Sequence, residues 1–132
     1  MKWHFYAMDS HAAHAARASF ADFLGCLCHS KPDCQNAEIV YGELVGNAIR
    51  HAPGPIDIHV QADAYGLVRI DVCDTGAAFA LNATLPAGDS ERGRGLYIVS
   101  KLCPHVSLTR TAVGNKISAV LPVLAEPART GT

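Results

Sequence analysis

Two segments in the middle of the chain alternate apolar and polar residues with a period of two. Residues 56–61 carry isoleucine or valine at every second position, and residues 68–72 repeat the pattern. This period is typical of a strand with one buried face. Between the two segments, Ala64-Tyr65-Gly66 is a turn signal. The sequence therefore predicts two strands joined as a hairpin.

Apolar residues recur at helical spacing in the first part of the chain. A first helix is predicted after Asp9-Ser10, which offers an N-cap. Its apolar face comprises Ala16, Phe20, Phe23, Leu24 and Leu27. This helix is expected to end near residues 29–33, where Lys31-Pro32-Asp33 makes a loop. A second helix is predicted over residues 34–52, up to Pro53-Gly54-Pro55.

The two ends of the chain add strands to this plan. Residues 3–8 are rich in aromatic side chains and predict a short strand, and two more strands are expected at 106–109 and 116–123. Residues 75–92 are small and polar and predict a mobile loop, and a third helix is expected from about Gly95. The order β-α-α-β-β-loop-α-β-β places one helical layer on a mostly antiparallel sheet, an α+β fold.

The composition fits one globular domain, expected over residues 1–124 with a flexible tail over 125–132. The chain has 132 residues, of which 49% are apolar and 17% charged, and its formal net charge is −1. That charge gives no basic field for nucleic acid or an anionic membrane. No apolar run approaches the roughly 20 residues of a membrane span, and the first residues lack a signal-peptide core. We therefore expect a cytoplasmic protein.

Five cysteines raise the question of a metal site or disulfides. Cys26, Cys28, His29 and Cys34 form a cluster of soft ligands, but the spacing lacks the paired C-x2-C knuckles of structural zinc sites. An odd number of cysteines without a signal peptide favours reduced thiols. The sequence therefore predicts ordinary thiols, with a metal site as the minor alternative.

The predicted second helix carries a polar stripe opposite its apolar side. The apolar side comprises Tyr41, Leu44, Val45, Ala48 and Ile49, and the stripe comprises Glu43, Asn47, Arg50 and His51. A solvated face is one interpretation. However, asparagine is a poor helix-interior residue, and Asn47 lies four positions after Glu43, which puts both side chains at one spot. A carboxylate beside an amide oxygen suits Mg²⁺ and a water nucleophile.

Two later motifs carry glycines at points where a ligand can approach the backbone. Asp74-Thr75-Gly76 follows a predicted strand, and a carboxylate there can accept a hydrogen bond from an exocyclic amine such as that of adenine. Gly93-Arg94-Gly95-Leu96 leads into the third helix, where free backbone N–H groups favour phosphate. Taken alone, the first is also a common turn and the second an ordinary loop-to-helix junction. No Walker A motif occurs.

Taken in this order, the three segments resemble the N, G1 and G2 boxes of the GHKL (histidine-kinase-like ATPase) superfamily. The N box is represented by Glu43-Leu44-Val45-Gly46-Asn47-Ala48-Ile49-Arg50-His51-Ala52. Asp74-Thr75-Gly76 resembles the G1 box, and Gly93-Arg94-Gly95-Leu96-Tyr97-Ile98-Val99 the G2 box of anti-sigma-factor serine kinases. The resemblance covers roughly residues 10–122. It implies a Bergerat-type two-layer α/β sandwich, with a mostly antiparallel mixed sheet covered on one face by three helices.

The resemblance also implies a site for ATP and Mg²⁺. Asn47 would coordinate the metal, and Glu43 would be the catalytic base. Asp74 would bind the adenine amino group. The other nucleotide-binding residues implied are Arg50, Gly76, Arg92, Gly93, Arg94, Gly95 and Leu96. Residues 77–92 would form the ATP lid, which here is short.

Two departures from the family pattern affect this site. Ala77-Ala78-Phe79 stands where the G1 box often continues to another glycine, which is expected to stiffen the hinge of the lid. Gly114-Asn115-Lys116 stands where the last strand usually opens with Gly-Thr, whose hydroxyl helps to bind adenine. That contact is therefore open, with Ser118 nearby.

Within the superfamily, a free-standing domain with an N-terminal strand and helix is similar to the anti-sigma-factor serine kinases. His11 and His14 lack the setting of a phospho-acceptor and are interpreted as helix-surface residues, and the chain is too short for a transducer domain. The resemblance implies a protein serine kinase in transcription regulation, whose partners are a sigma factor and its antagonist protein, with a homodimer common in similar proteins. The alternatives are a nucleotide-binding regulatory module with little or no phosphotransfer, and a stand-alone histidine-kinase-like ATPase domain.

Overall fold

The computed structural model describes residues 1–27, 31–79 and 91–124, with only the backbone given for 91–93 and 124. These residues form five strands and three helices. The strands are β1 (Lys2–Tyr6), β2 (Pro55–Ala62), β3 (Leu67–Asp74), β4 (Val106–Arg110) and β5 (Asn115–Leu124). The helices are α1 (Ser10–Leu27), α2 (Lys31–His51) and α3 (Glu91–Leu102). The element order is the one that the sequence predicts.

The five strands form one sheet in the order β1-β2-β3-β5-β4. Every pairing within this sheet is antiparallel, so the expected mixed character is absent from the described residues. The predicted hairpin is confirmed, with Ile58 opposite Val72. Its turn is held by Asp63, whose Oδ1 accepts hydrogen bonds from the backbone N–H groups of Tyr65 at 2.8 Å and Leu67 at 3.0 Å.

One face of the sheet and the three helices enclose the hydrophobic core. Alternate residues of β2, β3 and β5 point into it, and the largest fully buried side chains include Ile56, Ile58, Ile70, Ile117 and Leu121. Helix α2 is central, because it contacts α3 as well as β3 and β5, whereas α1 packs mainly on β1 and α2. The α+β expectation of one sheet with three helices on one face is confirmed.

Helix α1 begins as predicted. The carboxylate of Asp9 accepts a hydrogen bond from the backbone N–H of Ala12 at 2.9 Å, which is the N-cap contact expected of this residue. Its apolar face reaches α2, where Phe20 stacks on Tyr41 with 4.3 Å between ring centroids. His11 and His14 are exposed, as predicted.

Two predicted helix starts are wrong. Lys31-Pro32-Asp33 is the first turn of α2 rather than a loop. A proline is tolerated there because first-turn N–H groups have no acceptor within the helix, and Asp33 complements the positive helix end. Helix α3 begins at Glu91 rather than about Gly95, so Arg92, the expected last residue of the lid, belongs to the helix.

The prediction of reduced thiols is wrong for Cys34, which is disulfide-bonded. Cys26, Cys73 and Cys103 are free thiols, and Cys28 and His29 lie outside the described residues. Most of the predicted lid and the predicted tail over 125–132 also lie outside them. Among the described helices, none is long and apolar enough to cross a membrane.

Candidate functional site

Asn47 is the most unusual residue of α2. Its side chain is 1% exposed, and neither amide atom has a hydrogen-bond partner among the described residues. The polar stripe of α2 is therefore buried at Asn47 and not exposed to solvent there. An amide buried without partners costs roughly 1–3 kcal/mol of stability. Such a cost is typical of a residue kept for a ligand.

Glu43, one turn before Asn47, lies against helix α3. A Cβ atom built on Gly95 would come within 2.5 Å of Glu43 Oε2, so the carboxylate occupies the space that a side chain at Gly95 would need. The N-box and G2-box segments are therefore in contact. Gly95 is the fifth residue of α3, past the first turn, so the expectation that its N–H group is free for phosphate is wrong. Its lack of a side chain makes room for Glu43.

Asp74 ends β3 and is 5% exposed. Its Oδ1 accepts hydrogen bonds from the backbone N–H of Gly76 at 2.9 Å and from Asn115 Nδ2 at 3.1 Å. A Cβ atom built on Gly76 would lie 2.9 Å from Ala52 Cβ, so the G1 turn packs directly on the residue that follows α2. The structure thus joins the G1 segment to the N-box segment as well.

Asn115 and Arg110 belong to this site, although sequence reasoning treated Asn115 as a departure and did not single out Arg110. Arg110 Nη1 donates to Gly76 O at 2.7 Å and to Asn115 Oδ1 at 3.1 Å. The alternation of side chains along a strand could have identified both residues. Asn115 lies two positions before Ile117, so both are on the inner face of β5, and Arg110 of β4 pairs with Asn115. The sequence alone does not predict that β5 pairs with β3.

Ser118 does not replace the missing threonine of the family. Its hydroxyl donates to Asp71 Oδ1 at 2.5 Å, and both residues lie on the face of the sheet that the helices leave uncovered. Asp74 pairs with Asn115 across β3 and β5, and Asn115 accepts a hydrogen bond from Arg110. Asn115, and not Ser118, is therefore the side chain of β5 that bonds the carboxylate of Asp74.

The remaining predicted residues lie at the margins of the site. Arg50 is exposed and folds along α2, where its Nη1 would be 3.0 Å from a Cβ atom on Gly46. Arg94 is also exposed. The side chain of Leu96 packs in the hydrophobic core, and its N–H group, like that of Gly95, lies past the first turn of α3. Arg92 and Gly93 belong to the first turn of α3, where backbone N–H groups lack helical acceptors.

Among the described residues, no three histidine, cysteine or acidic side chains converge on a common metal position. The structure instead offers an amide beside a carboxylate, since Asn47 and Glu43 stand one turn apart on α2. Hard cations such as Mg²⁺ use few protein oxygens and keep their other ligands as water and phosphate. The buried, unpartnered amide of Asn47 fits such an ion.

Two comparisons with known proteins bear on this arrangement. The family model of the histidine kinase-like ATPase domain matches residues 6–121, a span that includes Glu43, Asn47, Asp74, Gly95 and Asn115. A search of curated proteins found no significant match. The family match covers most of the chain and agrees with the five-stranded antiparallel sheet, its three helices and the meeting of the three boxes. The chain therefore belongs to the histidine kinase-like ATPase domain family.

Proposed function

We propose that this protein is an ATP-dependent protein serine kinase of the anti-sigma-factor type, which phosphorylates an antagonist protein and holds a sigma factor. The observation that carries the proposal is the position of Glu43. Its carboxylate lies against Gly95 of α3 and stands one turn from the buried amide of Asn47. A carboxylate at this point can take a proton from an attacking group, which nucleotide binding alone does not require.

In this proposal the adenine ring binds beside Asp74. Oδ1 of Asp74 is already engaged by Gly76 and Asn115, and Oδ2 accepts the hydrogen bond from the adenine amino group. The phosphates extend toward the first turn of α3, where free N–H groups and the positive helix end stabilise anions. Arg94, in the same part of α3, adds positive charge there.

Asn47 would hold Mg²⁺ through its amide oxygen. When bound, the ion would neutralise negative charge on the phosphate oxygens. The unpartnered state of the amide in the described structure supports this role, because the ion would satisfy a group that otherwise has no hydrogen bond. Glu43 lies close enough along α2 to serve the same reacting group.

Glu43 acts as the general base. It takes the proton from the hydroxyl of the acceptor serine, whose oxygen then forms a bond to the γ-phosphorus. The bond between that phosphorus and the bridging oxygen breaks, and ADP leaves with the bond's electron pair. The carboxylate already lies beside Gly95 of α3 before the acceptor arrives.

The test is transfer of label from γ-labelled Mg·ATP to proteins that co-purify with the chain from its own cell. Wild type is expected to give phosphoserine on one of them, and Glu43→Ala and Glu43→Gln are expected to bind ATP but transfer at least about 100-fold less. Transfer by the mutants at the wild-type rate would contradict the kinase. ATP binding with no transfer by any variant would instead favour the nucleotide-binding regulatory module.

A further inference from the structure

Asn115 is buried at the start of β5, and both ends of its amide group are engaged. It is 2% exposed. Oδ1 accepts the hydrogen bond from Arg110 Nη1 at 3.1 Å. Nδ2 lies 3.1 Å from Asp74 Oδ1, 3.0 Å from Ala77 O and 3.3 Å from Gly76 O, so its two N–H groups are shared among three acceptors. A buried amide with this many partners has one defined position.

The orientation of the amide follows from the chemistry of its neighbours. A guanidinium group only donates hydrogen bonds, and a carboxylate or backbone carbonyl only accepts them. Turning the amide by 180° would place Oδ1 against Asp74 and Nδ2 against Arg110, which leaves every contact mismatched. Arg110 therefore keeps the donor end of Asn115 directed at Asp74.

This arrangement determines which oxygen of Asp74 a nucleotide base can use. Oδ1 accepts from both Gly76 and Asn115. Among the described residues, none donates to Oδ2, so this oxygen is the acceptor left for a ligand. An acceptor here matches the 6-amino group of adenine and opposes the 6-carbonyl group of guanine or hypoxanthine, because two acceptors face each other in that pair.

The same two side chains also secure the chain where it leaves the site. Arg110 Nη1 lies 2.7 Å from Gly76 O, and Asn115 Nδ2 lies 3.0 Å from Ala77 O. These carbonyl groups belong to the last residue of the G1 segment and to the residue after it. The backbone beside Asp74 is thus tied to β4 and β5, and the carboxylate is held in one plane.

We propose that Asn115, oriented by Arg110, is the positioning residue that sets the preference of this site for adenine. The proposal rests on the ATP binding of the proposed function. Asn115 acts by holding Asp74 Oδ1, so that Oδ2 meets the base in a fixed direction. Arg110 acts one step further away, by fixing the amide of Asn115.

The experiment measures dissociation constants for Mg·ATP and Mg·ITP by calorimetry, since ITP replaces the 6-amino group by a carbonyl. Wild type is expected to prefer ATP. Asn115→Ala is expected to weaken ATP binding about tenfold and to lower the preference for ATP over ITP by a similar factor. Arg110→Ala is expected to shift both values in the same direction by a smaller factor. Asn115→Thr is expected to restore part of the preference, because its hydroxyl is one donor.

Ser118→Ala is the matched control. It also removes a hydrogen bond from β5 to β3, but on the opposite face of the sheet. The affinities for both nucleotides are expected to stay unchanged. Thermal melting shows which variants fold, and if Asn115→Ala does not, Asn115→Thr and the exposed Arg110→Ala carry the test.

Three outcomes would overturn the inference. Affinities for both nucleotides that stay at the wild-type values in Asn115→Ala, with wild type preferring ATP, contradict it while ATP binding stands. An equal loss for both nucleotides shows a role in folding alone. A wild type that binds no ATP contradicts the proposed function itself.

Discussion

The carboxylate of Glu43 and the backbone of Gly95 occupy adjoining space, so that a Cβ atom on Gly95 would lie 2.5 Å from Glu43 Oε2. This contact joins α2 to α3 at the point where the proposed base stands. Gly95 is buried, and Glu43 is half-buried. The position of the base therefore depends on a residue 52 positions away having no side chain.

Gly95→Ala is expected to move the base without unfolding the protein. The crowded atom is the end of a flexible side chain, and alanine is favoured over glycine in a helix by roughly 1 kcal/mol, so the melting temperature should change little. A displacement of about 1 Å in a catalytic group can cost about 100-fold in rate. Turnover of Mg·ATP and the melting curve, measured on the same preparation, check this.

Gly25→Ala is the control for that substitution. Gly25 also lies in a helix, but a Cβ atom there would meet nothing within 4 Å. We expect a small gain in stability and unchanged turnover. If Gly95→Ala keeps full turnover, or if Gly25→Ala loses it equally, the contact between Glu43 and Gly95 has no catalytic role.

Asp74→Asn is expected to weaken ATP binding by about 1.5–3 kcal/mol, because it replaces a charge-assisted hydrogen bond to the adenine amino group. Calorimetry with Mg·ATP measures the loss. Asp71→Asn is the matched control, since Asp71 lies on the same strand and faces the uncovered side, where it bonds Ser118. Equal affinities for Asp74→Asn and wild type would rule out the assigned adenine pocket.

Tyr41→Phe is expected to raise the free energy of unfolding by about 1 kcal/mol at pH 7. The hydroxyl group of Tyr41 is buried without a hydrogen-bond partner among the described residues, and the stacking of its ring on Phe20 at 4.3 Å does not need it. Urea unfolding measures the change. A loss of more than about 1 kcal/mol would show that the hydroxyl has a bonding partner.

The Tyr41 hydroxyl also makes the free energy of unfolding of the wild type depend on pH, and Tyr41→Phe removes this dependence. Burial raises its pKa from 10.0 to about 12, against the opposing effect of the Arg17 charge. Between these two values the unfolded chain loses the proton and the folded chain keeps it, so this group's contribution to stability falls as pH rises. Unfolding free energies measured from pH 9 to 12 should fall less steeply for Tyr41→Phe than for wild type. Parallel curves would contradict the assignment.

The sequence predicts the fold well because its periodic patterns are local. Residues 56–61 and 68–72 identify the central hairpin, and Asp9 marks the start of α1. The errors occur at residue types that are found both just outside a helix and within it. Pro32 ends helices in most settings but is accepted in the first turn of α2, and Gly95 lies inside α3 rather than before it.

The candidate site is predictable only in part from sequence. Glu43 and Asn47 follow from helical spacing, but the burial of Asn47 depends on α3 covering the stripe. Asn115 reaches Asp74 across 41 positions because β5 pairs with β3, a long-range register that no local pattern specifies. The family resemblance predicts the three boxes, whereas the hydrogen bond from Asn115 to Asp74 is evident only from the structure.

The central claim is that Asn47 is held in the core for a metal-bound nucleotide, and Asn47→Leu tests it most directly. Leucine has a similar branched shape and no polar atoms to leave unpartnered, so the variant should be as stable as wild type or more so. Calorimetry of ATP with and without Mg²⁺ is then compared for the two proteins. We predict that wild type binds ATP more tightly with Mg²⁺ and that the folded variant loses this dependence. A variant that keeps the full dependence on Mg²⁺, or a wild type that never shows it, would contradict the claim.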